Sequence, residues 1–302
     1  MPAQTAILAP DASHSRFLVL ERRNVSLDAL RAAIGRFIAT RHWLQTQDEG
    51  AALVTAIGFG PGLWQALYDA TPAGFRPLEP LDGAFPMPAT GGDVFVHINS
   101  DRADFCFELA QSLLDDLRDG ISVLEEQAGF RYLDNRDLTG FIDGTENPHE
   151  PEERAEASLI PFGEFAGGSF AFAQRYVHDM DKWRRLKVDV QEQVIGRTKL
   201  DSVELEGDRM PANSHVARNV IEEDGVELEI VRHSMPYGSA SGDRGLFFLA
   251  YTKDLSIIDR MLANMFGTSG DGLSDRLLHF VTPVGGGYFF VPSESLLQRL
   301  AG

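Results

Sequence analysis

The chain has 302 residues, 43% of them hydrophobic, with 45 acidic against 27 basic side chains and a formal net charge of −18. That apolar share, with 20 Phe, is ample for a buried core and excludes a disordered chain, while the acidic balance disfavours nucleic acid and anionic membranes as partners. No window supplies the roughly 18 apolar residues of a membrane span, no basic stretch followed by an apolar run opens the chain, and the single cysteine, Cys106, allows no intrachain disulfide and fits a reducing, cytoplasmic location.

In chain order, residues 1–15 read as an irregular lead-in to a strand at Phe17-Leu18-Val19-Leu20. Leu27, Leu30, Ile34, Phe37 and Ile38 recur at helical spacing, with Ser26 placed to cap. Residues 53–57 predict a second strand, 62–68 a short helix, and 71–92, rich in Pro and Gly, a long irregular connection. A third strand over 94–98, an amphipathic helix over 102–118 and a fourth strand over 123–133 follow. Cys106 falls in that helix, where it reads as a small buried hydrophobe. After an acidic linker at 149–156, order returns with a strand over 168–177 and a helical region over about 179–196. An alternating strand over 226–231, a buried strand over 246–251, a helix from Ile257 to Phe266 stopped by Gly267 and a last strand over 288–291 complete the chain. Each half reads β-α-β-β-α-β, the ferredoxin-like order, with 1–150 and 151–302 as the two halves.

Between them lies Gly140-Phe141-Ile142-Asp143-Gly144-Thr145-Glu146-Asn147-Pro148. Pro148 biases Asn147 towards extended geometry, and the run holds one carboxylate, Asp143, on a turn with bare backbone beside it, where a flat ligand can lie close. The same residues also read as an ordinary Asp-Gly turn. Eight histidines compete as ligands. His97 alternates into a core, His14 and His149 lie in polar segments, and chemistry alone does not choose between His178 and His215, the latter in Pro211-Ala212-Asn213-Ser214-His215. Arg232 ends the alternating strand, just before His233-Ser234-Met235-Pro236-Tyr237-Gly238, a position where an Arg is ordinarily a solvated rim charge.

The run Gly-x-x-Asp-Gly followed by Thr-Glu-Asn-Pro resembles the signature of the dye-decolourising peroxidases, and Arg-x-x-x-Pro-Tyr-Gly at 232–238 resembles a second pattern of that family, in its compact B-type branch. The resemblance implies an α+β fold of two ferredoxin-like halves with antiparallel sheets packed together, a dimeric α+β barrel-like arrangement, and one haem b per chain in the C-terminal half. It implies His215 as the axial iron ligand, Asp143 and Arg232 as the distal pair, and Ser234 where relatives commonly carry Asn or Ser. Gly144, Thr145 and Glu146 would lie beside the cofactor, Arg197 at its propionates and Phe248 on its distal wall. Asp275 resembles the proximal acid that accepts a hydrogen bond from the ligand's other N–H, although its own context reads equally as a helix-start carboxylate. The implied function is a haem-dependent peroxidase that uses hydrogen peroxide to oxidise phenolic or dye-like reductants by one-electron steps, cytoplasmic and homo-oligomeric. Electrons would arrive through aromatic residues such as Trp183, Tyr237 and Tyr251, or at the propionate edge. A haem-handling or haem-sensing protein with little turnover is the alternative, and a cofactor-free ferredoxin-like scaffold is a third reading.

Overall fold

The computed structural model of the chain describes residues 1–10 and 12–302. Its first half runs α1 (Thr5–Leu8), β1 (His14–Arg22), α2 (Leu27–Gln47), β2 (Val54–Phe59), α3 (Pro61–Leu67), a two-residue pair β3 (Leu81–Asp82) and β4 (Pro86–Met87), β5 (Val94–Ser100), α4 (Ala103–Leu117) and β6 (Ile121–Phe130). Ser26 caps α2 by accepting from the Ala29 N–H at 3.1 Å, and Cys106 lies buried in α4, where desolvation pushes its thiol up to about 12. Strands β6, β1, β5 and β2 lie side by side in that order, every pair antiparallel. This is the ferredoxin-like arrangement, in which the first strand sits between the third and the fourth.

The second half runs α5 (Pro151–Ser158), β7 (Ser169–His178), α6 (Met180–Arg184), α7 (Val188–Ile195), α8 (His215–Asn219), β8 (Glu222–Glu223), β9 (Val226–Glu227), β10 (Val231–Arg232), β11 (Met235–Gly238), β12 (Arg244–Thr252), α9 (Leu255–Phe266), β13 (Val281–Pro283), β14 (Gly287–Val291) and α10 (Glu294–Ala301). Here β7 takes the first-strand place, flanked by β12 on one edge and by β13 and β14 in succession on the other. The alternating segment at 226–231 is not one strand. Asp224 (φ 51°) and Gly225 (φ 79°) make a tight turn between β8 and β9, and only Val231 and Arg232 join the large sheet.

The two sheets meet at both edges. Tyr237 on β11 pairs with Gly129 on β6, and Phe290 on β14 pairs with Phe59 on β2, closing the strands into a ring. Side chains alternate across each strand, so Phe17, Val19, Phe95, Phe247, Leu249, Tyr251 and Phe289 fill the inside of the barrel. Leu18, Leu20, Val96, Phe172, Tyr176 and Tyr288 face outwards, where the helices cover them. The lead-in is not loose, because Ala6 and Ile7 are fully buried. Gln4 also clasps Ile57 with both ends of its carboxamide, accepting from its N–H at 2.7 Å and donating to its C=O at 2.8 Å.

Candidate active site

Strand parity places the site. Val231 and Leu249 point into the barrel, so Arg232 and Phe248, one residue away, point out. Between this outer face and helices α8 and α9 lies a cavity of about 1410 Å³, its open mouth included. Phe172, Leu246, Phe248, Ile258, Leu262 and Met265 give it apolar walls, while Asp143, Arg232 and His215 are among its polar lining.

The loop that carries Asp143 is pinned from several sides. The Asp143 N–H donates to Asn135 C=O at 3.0 Å. The following residue needs φ near +78°, which glycine adopts without the penalty a Cβ imposes. There the Gly144 N–H donates to Asp143 Oδ1 at 2.7 Å. Arg136 ties the loop to the segment after α7, donating to Gly140 C=O at 2.8 Å and Lys199 C=O at 2.7 Å. Further on, Asn147 Nδ2 donates to Arg232 C=O and Asn147 Oδ1 accepts from the Arg232 N–H, each at 2.8 Å. Asp143 and Arg232 also line a smaller recess beside the main cavity, with Arg131, Asn135, Gly144 and Ser234. The pair thus forms the partition between the two spaces. Ser234 belongs to the recess and not to the main cavity, and its Oγ accepts from the Leu249 N–H at 3.3 Å.

At another part of the cavity lining, Ser214 caps α8 by accepting from the Ala217 N–H, which makes His215 the first helical residue. Gly196 (φ 99°), at the end of α7, packs under this turn, where an added Cβ would lie 3.0 Å from Ser214 Oγ and Val216 Cβ. The His215 side chain remains 32% exposed, whereas Asp275 behind it is wholly buried. Their Nδ1 and Oδ2 atoms are 2.6 Å apart, and because a carboxylate only accepts, Nδ1 carries the proton and Nε2 is left for the cavity. Burial opposes a charged imidazole here, but the charge and hydrogen bond of Asp275 outweigh it and raise the His215 pKa above 6.5; the charges of Arg232 and Asp143 act on it with opposite sign. Each Asp275 oxygen has its own partner. Its Oδ2 takes His215, and its Oδ1 caps the short helical turn Arg276–His279 by accepting from the Leu277 N–H at 2.8 Å.

Asp143, Glu146, His215, Arg232 and Phe248 therefore come together on one cavity. Gly144 and Ser234 line the recess, and Asp275 acts from behind His215. Thr145 lines neither space, and nor does Arg197. The Arg197 guanidinium is shared by Glu146, by Glu204 at 2.8 Å and by the Ser202 C=O at 2.7 Å. His178, the rival of His215, lines the same cavity, but its Nδ1 stands 3.7 Å from Asp137 and is buried. Trp183, Tyr237 and Tyr251 are all buried, so none of them is a surface entry point. Two features escaped sequence reasoning. Asn219, whose signal is its i+4 spacing from His215, donates to the His215 C=O at 2.7 Å. Glu227 and Glu229 join Glu146 among the lining residues, a grouping that depends on the β8–β9 hairpin.

Models of the Dyp-type peroxidase N-terminal and C-terminal regions match residues 4–131 and 134–296. This chain belongs to the Dyp-type peroxidase family. It is 40% identical over 299 residues to the dye-decolorizing peroxidase of Mycobacterium tuberculosis H37Rv, covering 97% of this chain and 89% of that protein. Among solved structures, the dye-decolorizing protein from V. cholerae superposes with a TM-score of 0.94 at 43% identity, covering 98% of this chain and 99% of that one. A Rhodococcus jostii RHA1 DypB variant in complex with heme does so with a TM-score of 0.91 at 38% identity, covering 97% of each chain.

Proposed function

We propose that this chain is a haem peroxidase that holds one haem b in the cavity between β7, β12, α8 and α9, and reduces hydrogen peroxide at the expense of small aromatic reductants. The observation that carries this reading is that Asp143, Arg232 and His215 line one cavity, close enough for both charges to act on the imidazole. The donor set suits the group. His215 presents Nε2 to the cavity while Asp275 fixes its tautomer from behind, the carboxylate-backed form usual for an imidazole ligand, and the walls are apolar enough for a porphyrin. Arg197 is proposed for a propionate, which requires it to give up Glu146 or Glu204. Gly144 and Thr145 would lend backbone close to the cofactor's edge. The two ferredoxin-like halves, 1–150 and 151–302, separate the strand sets β1–β6 and β7–β14, and the cofactor belongs chiefly to the second.

The bound haem supplies the iron at which peroxide is reduced and the store for the oxidising equivalents. The protein supplies the rest. Asp143, placed where the main cavity meets the recess, accepts a proton from one peroxide oxygen and returns it to the other. The Arg232 guanidinium stabilises the negative charge that grows as the O–O bond breaks. Ser234, set in the recess, can bind peroxide on its approach to the pair. No helix among the described residues is long and apolar enough to cross a membrane; we read the protein as a cytoplasmic homo-oligomer.

The experiment is haem reconstitution followed by stopped-flow mixing with peroxide. Wild type should show a Soret band and an iron–histidine Raman stretch, both lost in H215A. D143A and R232A should keep the haem yet react more slowly, by about 10²–10⁴-fold and about 10²–10³-fold respectively. Haem retained without any reaction in wild type, together with rapid transfer to an apo-globin, would replace the peroxidase with a haem carrier.

A further inference from the structure

β10 is an edge strand of two residues. On one side it pairs with β12 through Val231 and Arg232. On the other, the Arg232 N–H and C=O have no neighbouring strand, and a buried edge must satisfy such groups in some other way. The Asn147 carboxamide takes that place, with both hydrogen bonds at 2.8 Å and its side chain on a residue only 8% exposed. Arg154 adds a second tie between the same two segments, from Pro148 C=O at 3.3 Å to His233 Nε2 at 3.1 Å. The Arg232 backbone is thus held from both sides, by β12 and by Asn147. Asp143 immediately precedes the turn over 144–147, which is closed by the Asn147 N–H donating to Gly144 C=O at 3.1 Å.

We infer that Asn147 is a positioning residue for peroxide reduction: by replacing a missing strand at Arg232, it fixes the distance between the Asp143 turn and the guanidinium, independently of the cofactor. The inference rests on the peroxidase reading above. A displacement of about 1 Å in a reacting group can cost about 10²-fold in rate, so N147A should slow the bimolecular reaction with peroxide by about 10- to 100-fold. Haem content and the iron–histidine stretch should stay at wild-type values. In N147D one oxygen still accepts from the Arg232 N–H while the bond to Arg232 C=O is lost, and its rate should fall between wild type and N147A. Because Asn147 acts through Arg232, N147A should have no further effect in an R232A background. In the haem-free chain, the amides of residues 230–234 should exchange faster in N147A than in wild type. A wild type that never reacts with peroxide overturns the peroxidase reading and is recognised by that control alone. A wild type that reacts while N147A and N147D match its rate, an N147A effect that adds in full to R232A, or unchanged exchange at 230–234 overturns the role of Asn147.

Discussion

Asp275 has two oxygens with two tasks, and a single substitution separates them. In D275N a side-chain oxygen can still accept from the Leu277 N–H, but the charge beside His215 is gone. With haem bound, the iron–histidine stretch should weaken and the Fe(III)/Fe(II) potential should rise, because the imidazole donates less electron density. In the haem-free chain the sign is also fixed. Asp275 raises the His215 pKa above its unfolded value, so the stabilisation is fully present below that unfolded value and is lost as pH rises through the folded one. Haem-free D275N should lack this acid-side gain in urea melts; a wild-type profile, with an unaltered Raman stretch, would reduce Asp275 to a helix cap. Single residues were also where the sequence was most informative. Asp143 and Arg232 could be singled out because each sits in a run that resembles a family pattern, and His215 only through that resemblance, yet that all three line one cavity depends on strand parity and on the ring. Arg197 and Ser234 show the limit: their motifs were visible, but whether Glu146 and Glu204 would engage the one, and which face of the Asp143–Arg232 partition would hold the other, depends on distant packing.

At the scale of elements, helix α8, which carries His215, has only five residues and cannot hold its shape by its own hydrogen bonds. Its neighbours hold it. Arg218 reaches Asp271 at 2.7 Å and Asn264 C=O at 3.1 Å, and Gly196 lets the end of α7 pack against Ser214 and Val216. G196A meets two obstacles, a left-handed φ that costs about 1–2 kcal/mol for a residue with a Cβ and contacts at 3.0 Å. The melting temperature should drop by several degrees, at about 2–4 °C per kcal/mol for chains of 150–250 residues and less for longer ones. Because Ser214 must shift, carrying His215 with it, haem should also leave G196A faster. Equal melting and equal haem release would mean that α7 and α8 accommodate the methyl group independently of the ligand. Helices such as α4 and α9 could be read from their apolar spacing, as could the central strands. The elements that build the site could not: β10 has two residues, and the β8–β9 hairpin interrupts the segment that reads as a single alternating strand. Periodicity needs more residues than these supply.

The whole molecule carries a net charge of −18, and the cavity concentrates part of it, with Glu146, Glu227 and Glu229 among its lining residues. Burial, followed by the charges of Glu146, Glu229, Glu204 and Glu222, raises the Glu227 pKa above 4.5. A cationic reductant is therefore drawn to this site at neutral pH and an anionic one repelled. As pH falls, Glu227 takes up its proton before an ordinary exposed glutamate does, and the local field weakens. The ratio of cationic to anionic dye oxidation should thus be largest near neutral pH and shrink towards about pH 4. Added salt should compress the ratio at neutral pH, since the Debye length shortens from about 10 Å at 0.1 M to about 3 Å at 1 M. E227Q should move the neutral-pH ratio in the same direction as salt without altering the rate of peroxide reduction. The decisive measurement is steady-state oxidation of two dyes matched in size and potential but opposite in charge, across pH and at two salt levels, for wild type and E227Q. A ratio that ignores pH, salt and the substitution alike would mean that electrons enter away from the acidic cavity mouth, at a surface point remote from Glu227.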